Sequence, residues 1–242
     1  MINKKYIYII TLFLFLIIIK IVNPSLVQKI SFINYDFYQK VFNRGEVQNV
    51  TIVDIDEKSI AKIGQFPWRR DIYSKILNNL NQFNPSAIAF DIVFSEEDKQ
   101  NPQDLLLKLQ KESDQVISAN VINTNQIFID SISKSKVILP VLGEPNDNFV
   151  ENNSKPKLKI ITKGENAKNF LYSYKNKIIS LEEINNAASG IGAISLIPNI
   201  DGIIRNIPVL YNIDGKIWRS LAVEAVRVAS GQKNLLIQSD KS

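Results

Sequence analysis

The sequence predicts an α/β fold with a mixed, partly parallel sheet and a βαβ core, preceded by one N-terminal transmembrane helix. Three observations carry this. Residues 6–22 are almost wholly apolar. Residues 50–55 are β-branched apart from Asp54, as a buried strand requires. After a helical stretch, residues 87–90 form a second short apolar run. Two strands joined by a helix lie parallel with a right-handed crossover. Their carboxyl ends then share the sheet edge where open α/β folds place ligands.

The apolar N-terminal segment comes first. At about 1.5 Å per residue, residues 6–22 are just long enough to cross a bilayer if Lys20 snorkels to the interface. The segment ends Lys-Ile-Val-Asn-Pro-Ser, with no small-x-small cleavage site. It therefore reads as an uncleaved anchor in the lipid bilayer rather than a removed signal peptide. Lys4 and Lys5 place residues 1–5 in the cytoplasm and send the remainder across. Residues 23–48 read as a helical lead-in, with Leu26, Ile30, Ile33, Phe37 and Val41 along one side. Residues 49–242 read as the α/β domain.

Within that domain, Asp71 is a candidate N-cap for a helix over residues 71–83, whose Ile72, Tyr73, Ile76, Leu77, Leu80 and Phe83 share a face. Asn84-Pro85 ends it, because the residue before proline is pushed out of the α region. Residues 102–111 read as a helix with its proline in the first turn. Residues 125–135 read as another helix and 137–142 as a strand. The Asn- and Lys-rich stretch 143–177 reads either as holding a hairpin over 158–162 and 169–174 or as a mobile insertion. A short helix over 181–188 precedes a glycine-led strand over 190–198. A turn at Asp201-Gly202, a strand over 203–211, a hairpin turn at Asp214-Gly215 and a return over 216–218 follow. An amphipathic helix over 220–230 ends at Gly231, and residues 235–237 begin a last strand.

Composition removes whole classes of chemistry. There is no cysteine, so neither a disulfide framework nor a thiolate metal site is expected. There is no histidine, which removes the usual general base and serine-histidine or cysteine-histidine nucleophiles. The net charge of +5 comes from lysines spread along the chain rather than clustered with aromatics, so no nucleic-acid partner is expected. Asp54-Ile55-Asp56 after an apolar run also resembles the opening motif of haloacid-dehalogenase-type, magnesium-dependent phosphatases. Lys58 stands where such enzymes carry threonine or valine, and no later acidic pair is evident. The chain is read as a non-enzyme with no cofactor and no metal.

The candidate polar cluster is Asp54, Asp56, Arg70, Asp91 and Arg205, gathered at the predicted strand ends. It reads either as a ligand pocket or as an ion-pair network that holds loop geometry, with arginine the natural bidentate partner of such carboxylates. Phe66, Pro67 and Trp68 read as a packed turn. Glu96, Glu97 and Asp98 read as a solvated helix entry.

Several motifs in order carry a resemblance. They are Thr-Ile-Val-Asp-Ile-Asp-Glu-Lys-Ser at residues 51–59, Gly-Gln-Phe-Pro-Trp-Arg-Arg at 64–70, Ala-Phe-Asp-Ile-Val-Phe-Ser-Glu at 89–96, and the segment 192–210 with Asp-Gly-Ile-Ile-Arg and Pro208. Together they resemble the second type of CHASE sensor domain, the extracytoplasmic input module of bacterial adenylate cyclases and histidine kinases. Phe66, Arg69 and Ser195 depart from that family's usual tryptophan, proline and asparagine. The resemblance implies sensing outside the cytoplasmic membrane of a bacterium, a small-molecule or protein signal, and a homodimer. Members of that family continue into further strands, membrane helices and an output domain, so the chain is expected to be incomplete at its C-terminus. The alternative is a membrane-tethered module that docks a protein partner without signalling output.

Overall fold

The computed structural model describes residues 4–22, 24–42, 45, 49–113, 121–146, 154–157 and 160–239. The chain divides into two compact units: residues 1–56 with 200–202, and residues 57–199 with 203–242.

The first unit contains α1 (Lys4–Val22) and α2 (Pro24–Val41). Helix α1 is long and apolar enough to cross a membrane, with mean hydropathy 2.3 and none of it buried. On α2 the predicted stripe is exposed at Ile30, Ile33, Phe37 and Val41. Residues 50–55 belong to no strand or helix, and Ile52 is 87% exposed. The expected first strand of the βαβ unit is thus absent. β-Branched residues favour extended backbone, but a strand also needs a ladder partner to stabilise it.

The second unit opens with α3 (Glu57–Ile63) and α4 (Arg70–Asn81). It continues through β1 (Ile88–Ala89), α5 (Pro102–Ser113), α6 (Thr124–Ser133) and β2 (Val137–Glu144). Helix α4 is amphipathic and buries Tyr73 and Leu77 against Phe128 and Ile132 of α6. Next come β3 (Ile160–Gly164), a 3-10 turn over Ala167–Phe170, β4 (Ser173–Tyr174), β5 (Asn176–Ile179), α7 (Glu182–Ala187) and β6 (Gly190–Ala193). The unit closes with β7 (Leu210–Ile213), β8 (Lys216–Arg219), α8 (Leu221–Ala229) and β9 (Leu235–Ser239).

The central strand is β2. Val137, Ile138, Leu139 and Val141 are fully buried, the continuous apolar run of a strand covered on both faces. It pairs in parallel with β1 and β6 and antiparallel with β5. Ile138 faces both Ala89 and Gly190, and Val141 faces both Ile179 and Ala193. A strand has two edges, so β6 takes one while β1 and then β5 share the other. The sheet is therefore mixed and partly parallel, as expected. Its parallel crossovers run β1 to β2 through α5 and α6, and β2 to β6 through α7.

Two expectations fail here. Strand β3 pairs in parallel with β9 and β4 pairs with β7, so residues 158–174 form no hairpin; Leu158 itself lies outside the described residues. Residues 203–209 are not a strand, and Ile203, Ile207 and Val209 are exposed. The Asp214-Gly215 hairpin is present between β7 and β8, with φ of 53° and 66° at the two turn residues.

Glycine in β6 lets helix α8 come close. A Cβ on Gly192 would lie 2.5 Å from the Leu221 Cα, and one on Gly190 would meet the Glu224 carboxylate. Ser220 caps α8, its hydroxyl accepting from the Val223 N–H. The core beneath contains Val141, Ile179, Ile191, Tyr211, Ile213 and Trp218. The Tyr211 hydroxyl donates to the Ser195 carbonyl at 2.7 Å, and the Ser195 hydroxyl accepts from the Gly143 N–H at 2.7 Å. Burial pushes the Tyr211 phenol up to about 12, with Tyr174 adding to it.

Two predictions follow from this packing. Gly192→Ala places its methyl against backbone that cannot rotate away, so it costs about 1–3 kcal/mol, a fall in Tm of several degrees. A melting curve superimposable on wild type would contradict the close approach. The second concerns Asp214, whose carboxyl is held below its usual range by hydrogen bonding to Lys177 (2.8 Å), with Lys216 also contributing. A depressed carboxylate pKa stabilises above the unfolded value and loses that contribution as pH falls through the folded one. Asp214→Asn, which keeps a side chain tolerant of positive φ, is expected to melt below wild type at neutral pH. The gap should close in acid below about pH 4; an equal gap at both pH values refutes the linkage.

Candidate functional site

The most distinctive side-chain arrangement surrounds the start of α4. Gly64, at φ 118°, follows α3, and its carbonyl accepts from the Trp68 indole Nε1–H at 2.7 Å. The Phe66–Pro67 peptide is cis. The Trp68 ring lies 6.3 Å from Phe66 on one side and 6.3 Å from Tyr73 on the other. Tyr73 in turn packs edge-on against Phe94 at 5.1 Å, and Phe94 against Phe128 at 4.9 Å. Offset and edge-to-face contacts of this kind add to the area these rings bury.

Arg70 enters this aromatic cluster. Its guanidinium lies 4.5 Å over the Phe94 ring, and Nη2 donates to the Glu96 carbonyl at 2.8 Å. The residue is 7% exposed, and Nε has no partner. Among the described residues no carboxylate forms an ion pair with it. Burial holds its pKa below the ordinary arginine value, with the charge of Asp98 acting in the opposite direction.

Asp98 organises the backbone around that cation. Its Oδ2 accepts from the Arg70 N–H at 2.9 Å and from the Thr124 hydroxyl at 2.8 Å, while Oδ1 accepts from the Gln100 N–H at 3.0 Å. One buried carboxylate thus joins the first turns of α4 and α6 to the segment after Phe94. Asn101 continues the link, accepting from the Thr124 N–H at 3.0 Å and donating to Asp104 at 2.8 Å.

Beside Arg70 opens a cleft of about 600 Å³, lined by residues 65–68, Arg70, Tyr73 and residues 92–100. The structure therefore brings Arg70 together with Phe66, Pro67 and Trp68. Asp91 is exposed and Arg205 half-buried, and neither lines the cleft. Asp54 and Asp56 belong to the other unit and are exposed. Among the described residues no group of acidic side chains converges as a metal site would require.

Glu96 and Glu97 are exposed, as a solvated loop requires, but Asp98 is buried, against expectation. Its local geometry identifies its role. Asp followed two residues later by an N–H its side chain accepts is an Asx-turn, and here it stands directly before a proline-started helix. Asp71 is not the N-cap; Arg69 is, and Asp71 sits inside the first turn in a bidentate pair with it at 2.6 and 2.9 Å. That pairing holds the Asp71 carboxyl below its usual range.

The family model for the CHASE2 domain matches residues 10–241. No curated protein and no solved structure matches the chain.

Asp98→Ala leaves the Arg70 N–H without its acceptor and takes one of two acceptors from the Thr124 hydroxyl. The expected loss is about 2–3 kcal/mol in chemical denaturation. Asp98→Asn retains one acceptor oxygen and should lose roughly half as much; equal losses from the two variants would show that the charge, not the hydrogen bonding, carries the effect.

Proposed function

The chain belongs to the CHASE2 domain family, a family of extracytoplasmic sensor domains, and on that premise we propose that it is the input module of a bacterial membrane signalling protein. Helix α1 is its single-pass anchor in the cytoplasmic membrane, with Lys4 and Lys5 on the cytoplasmic side. The input is read in the α/β unit, at the cleft beside Arg70. The output is a cyclase or histidine kinase activity carried by the signalling system rather than by this unit, which performs no catalysis itself.

The observation that carries this reading is the extent of the family match. It takes in most of the apolar helix as well as the α/β unit. The cleft adds support, because it combines aromatic walls with a few buried polar groups, among them Arg70 and Asp98, the usual make-up of a small-molecule site. The exposed apolar stripe of α2 supports signalling as a homodimer, since a second copy would bury it. A signal shifts such a module only as far as it binds one state better than the other.

The chain lacks cysteine, so introduced thiols report topology cleanly. In intact spheroplasts, a membrane-impermeant maleimide should label Lys108→Cys and leave Asn3→Cys untouched until the cells are permeabilised. Labelling in the reverse order ends the extracytoplasmic reading.

A further inference from the structure

We infer that the Arg70 cleft binds a small organic monocarboxylate with an apolar body. This rests on the sensor reading above and names the chemical class of its input.

The first argument is the unpaired charge. Burying an ionised group costs free energy unless it is paired and hydrogen-bonded. Arg70 is 7% exposed, yet among the described residues its side chain donates to a single carbonyl, its Nε has no partner, and no carboxylate pairs with it. The Phe94 ring supplies a cation–π contact but no acceptor. Asp98, the nearest candidate counter-ion, directs its oxygens at the Arg70 and Gln100 backbone N–H groups and the Thr124 hydroxyl rather than at the guanidinium. Arg70 also lines the cleft. A ligand carboxylate there would supply the missing counter-charge, and guanidinium and carboxylate match in planar, forked geometry.

The second argument is the wall. Phe66, Pro67 and Trp68 line the same cleft, and they offer rings but no side-chain acceptor. An apolar ligand body belongs against them.

The third argument sets the ligand's charge. Glu96 and Glu97 line the cleft and are exposed. Lys99 pairs with Glu96 at 2.8 Å, which leaves Glu97 to repel a second negative charge. A single carboxylate meets Arg70 at a smaller penalty than phosphate or a dicarboxylate, whose extra charge the cleft does not match.

The chain contains two tryptophans, and they report different places. Trp68 lines the cleft, while Trp218 lies fully buried in the core cluster under α8. The full chain in lipid nanodiscs, labelled at the indole nitrogens, is titrated with phenylacetate and hexanoate, then with phenylacetamide and hexanamide, then with inorganic phosphate. Saturable movement of the Trp68 resonance with at least one carboxylate is expected, with Trp218 unmoved. The matched amide should bind at least about tenfold more weakly. Arg70→Met should abolish the Trp68 response while leaving the Trp218 resonance in place. Should Arg70→Met fail to fold, the exposed Glu97→Gln serves instead and is expected to tighten carboxylate binding about two- to threefold. A silent Trp68 with both carboxylates, amides that bind as well as acids, phosphate that binds best, or binding indifferent to both variants each overturns the proposal. The sensor reading is judged separately by thiol labelling, so either can fall without the other.

Discussion

The α/β unit depends on how it holds one buried cation. Arg70 stands at the first turn of α4, among rings, with Phe94 below its guanidinium. A charge in that position is costly, and a single carbonyl contact does not offset it. What keeps it there is the backbone. Asp98 accepts the Arg70 N–H and the Thr124 hydroxyl, so the helix that carries the cation and the helix that carries Phe128 are tied to one carboxylate. The aromatic chain from Trp68 through Tyr73 and Phe94 to Phe128 then fills the space between them. Position of the charge and packing of the rings are thus one constraint.

The far side of the sheet solves a related problem differently. Arg219 and Arg227 both donate to Glu224, at 3.0 Å and at 2.7 and 2.9 Å, and Glu224 is fully buried. Here each buried cation has a carboxylate partner, and removing Glu224 would strand both. The triad sits where Gly190 and Gly192 let α8 press on β6, so small residues in the strand and long charged ones in the helix are parts of one interface. Against that closed network, the lone guanidinium of Arg70 stands out as a charge the fold leaves open beside a cleft.

Legibility in the sequence followed from how local each signal was. Helix α1 was readable from its continuous apolar run, and α2, α4, α5, α6 and α8 from local pattern and punctuation, all properties of the segment alone. The βαβ principle was right and its strand at residues 87–90 is β1, but the partner strand assigned to residues 50–55 is not formed; β2 takes that place. Residues 50–55 and 203–209 carry strand composition, yet they belong to no strand. Strand β2 won that role because both its faces are covered. In the site, Arg70 and the Phe66–Trp68 turn were legible as a motif. Asp98 was not, because a carboxylate in an acidic run reads as solvated until tertiary contacts bury it. Ser195 illustrates the same limit: it departs from the family's asparagine, and its hydroxyl accepts the Gly143 N–H from β2.

The arrangement also dictates how occupancy of the cleft would be felt elsewhere. A ligand that neutralises Arg70 removes much of the cost of burying it, so it favours whichever state keeps the guanidinium over Phe94. That state is also the one in which the Arg70 N–H meets Asp98, and Asp98 holds the Thr124 hydroxyl at the start of α6. Helix α6 leads directly into β2, the strand on which β1, β5 and β6 all depend. The electrostatic gain at one side chain would therefore bear on the packing of α4 on α6. An uncharged ligand filling the same cleft would bury the same rings but leave the guanidinium as costly as before. On the proposed reading, charge rather than filled volume would distinguish a signal at the cleft from mere occupancy.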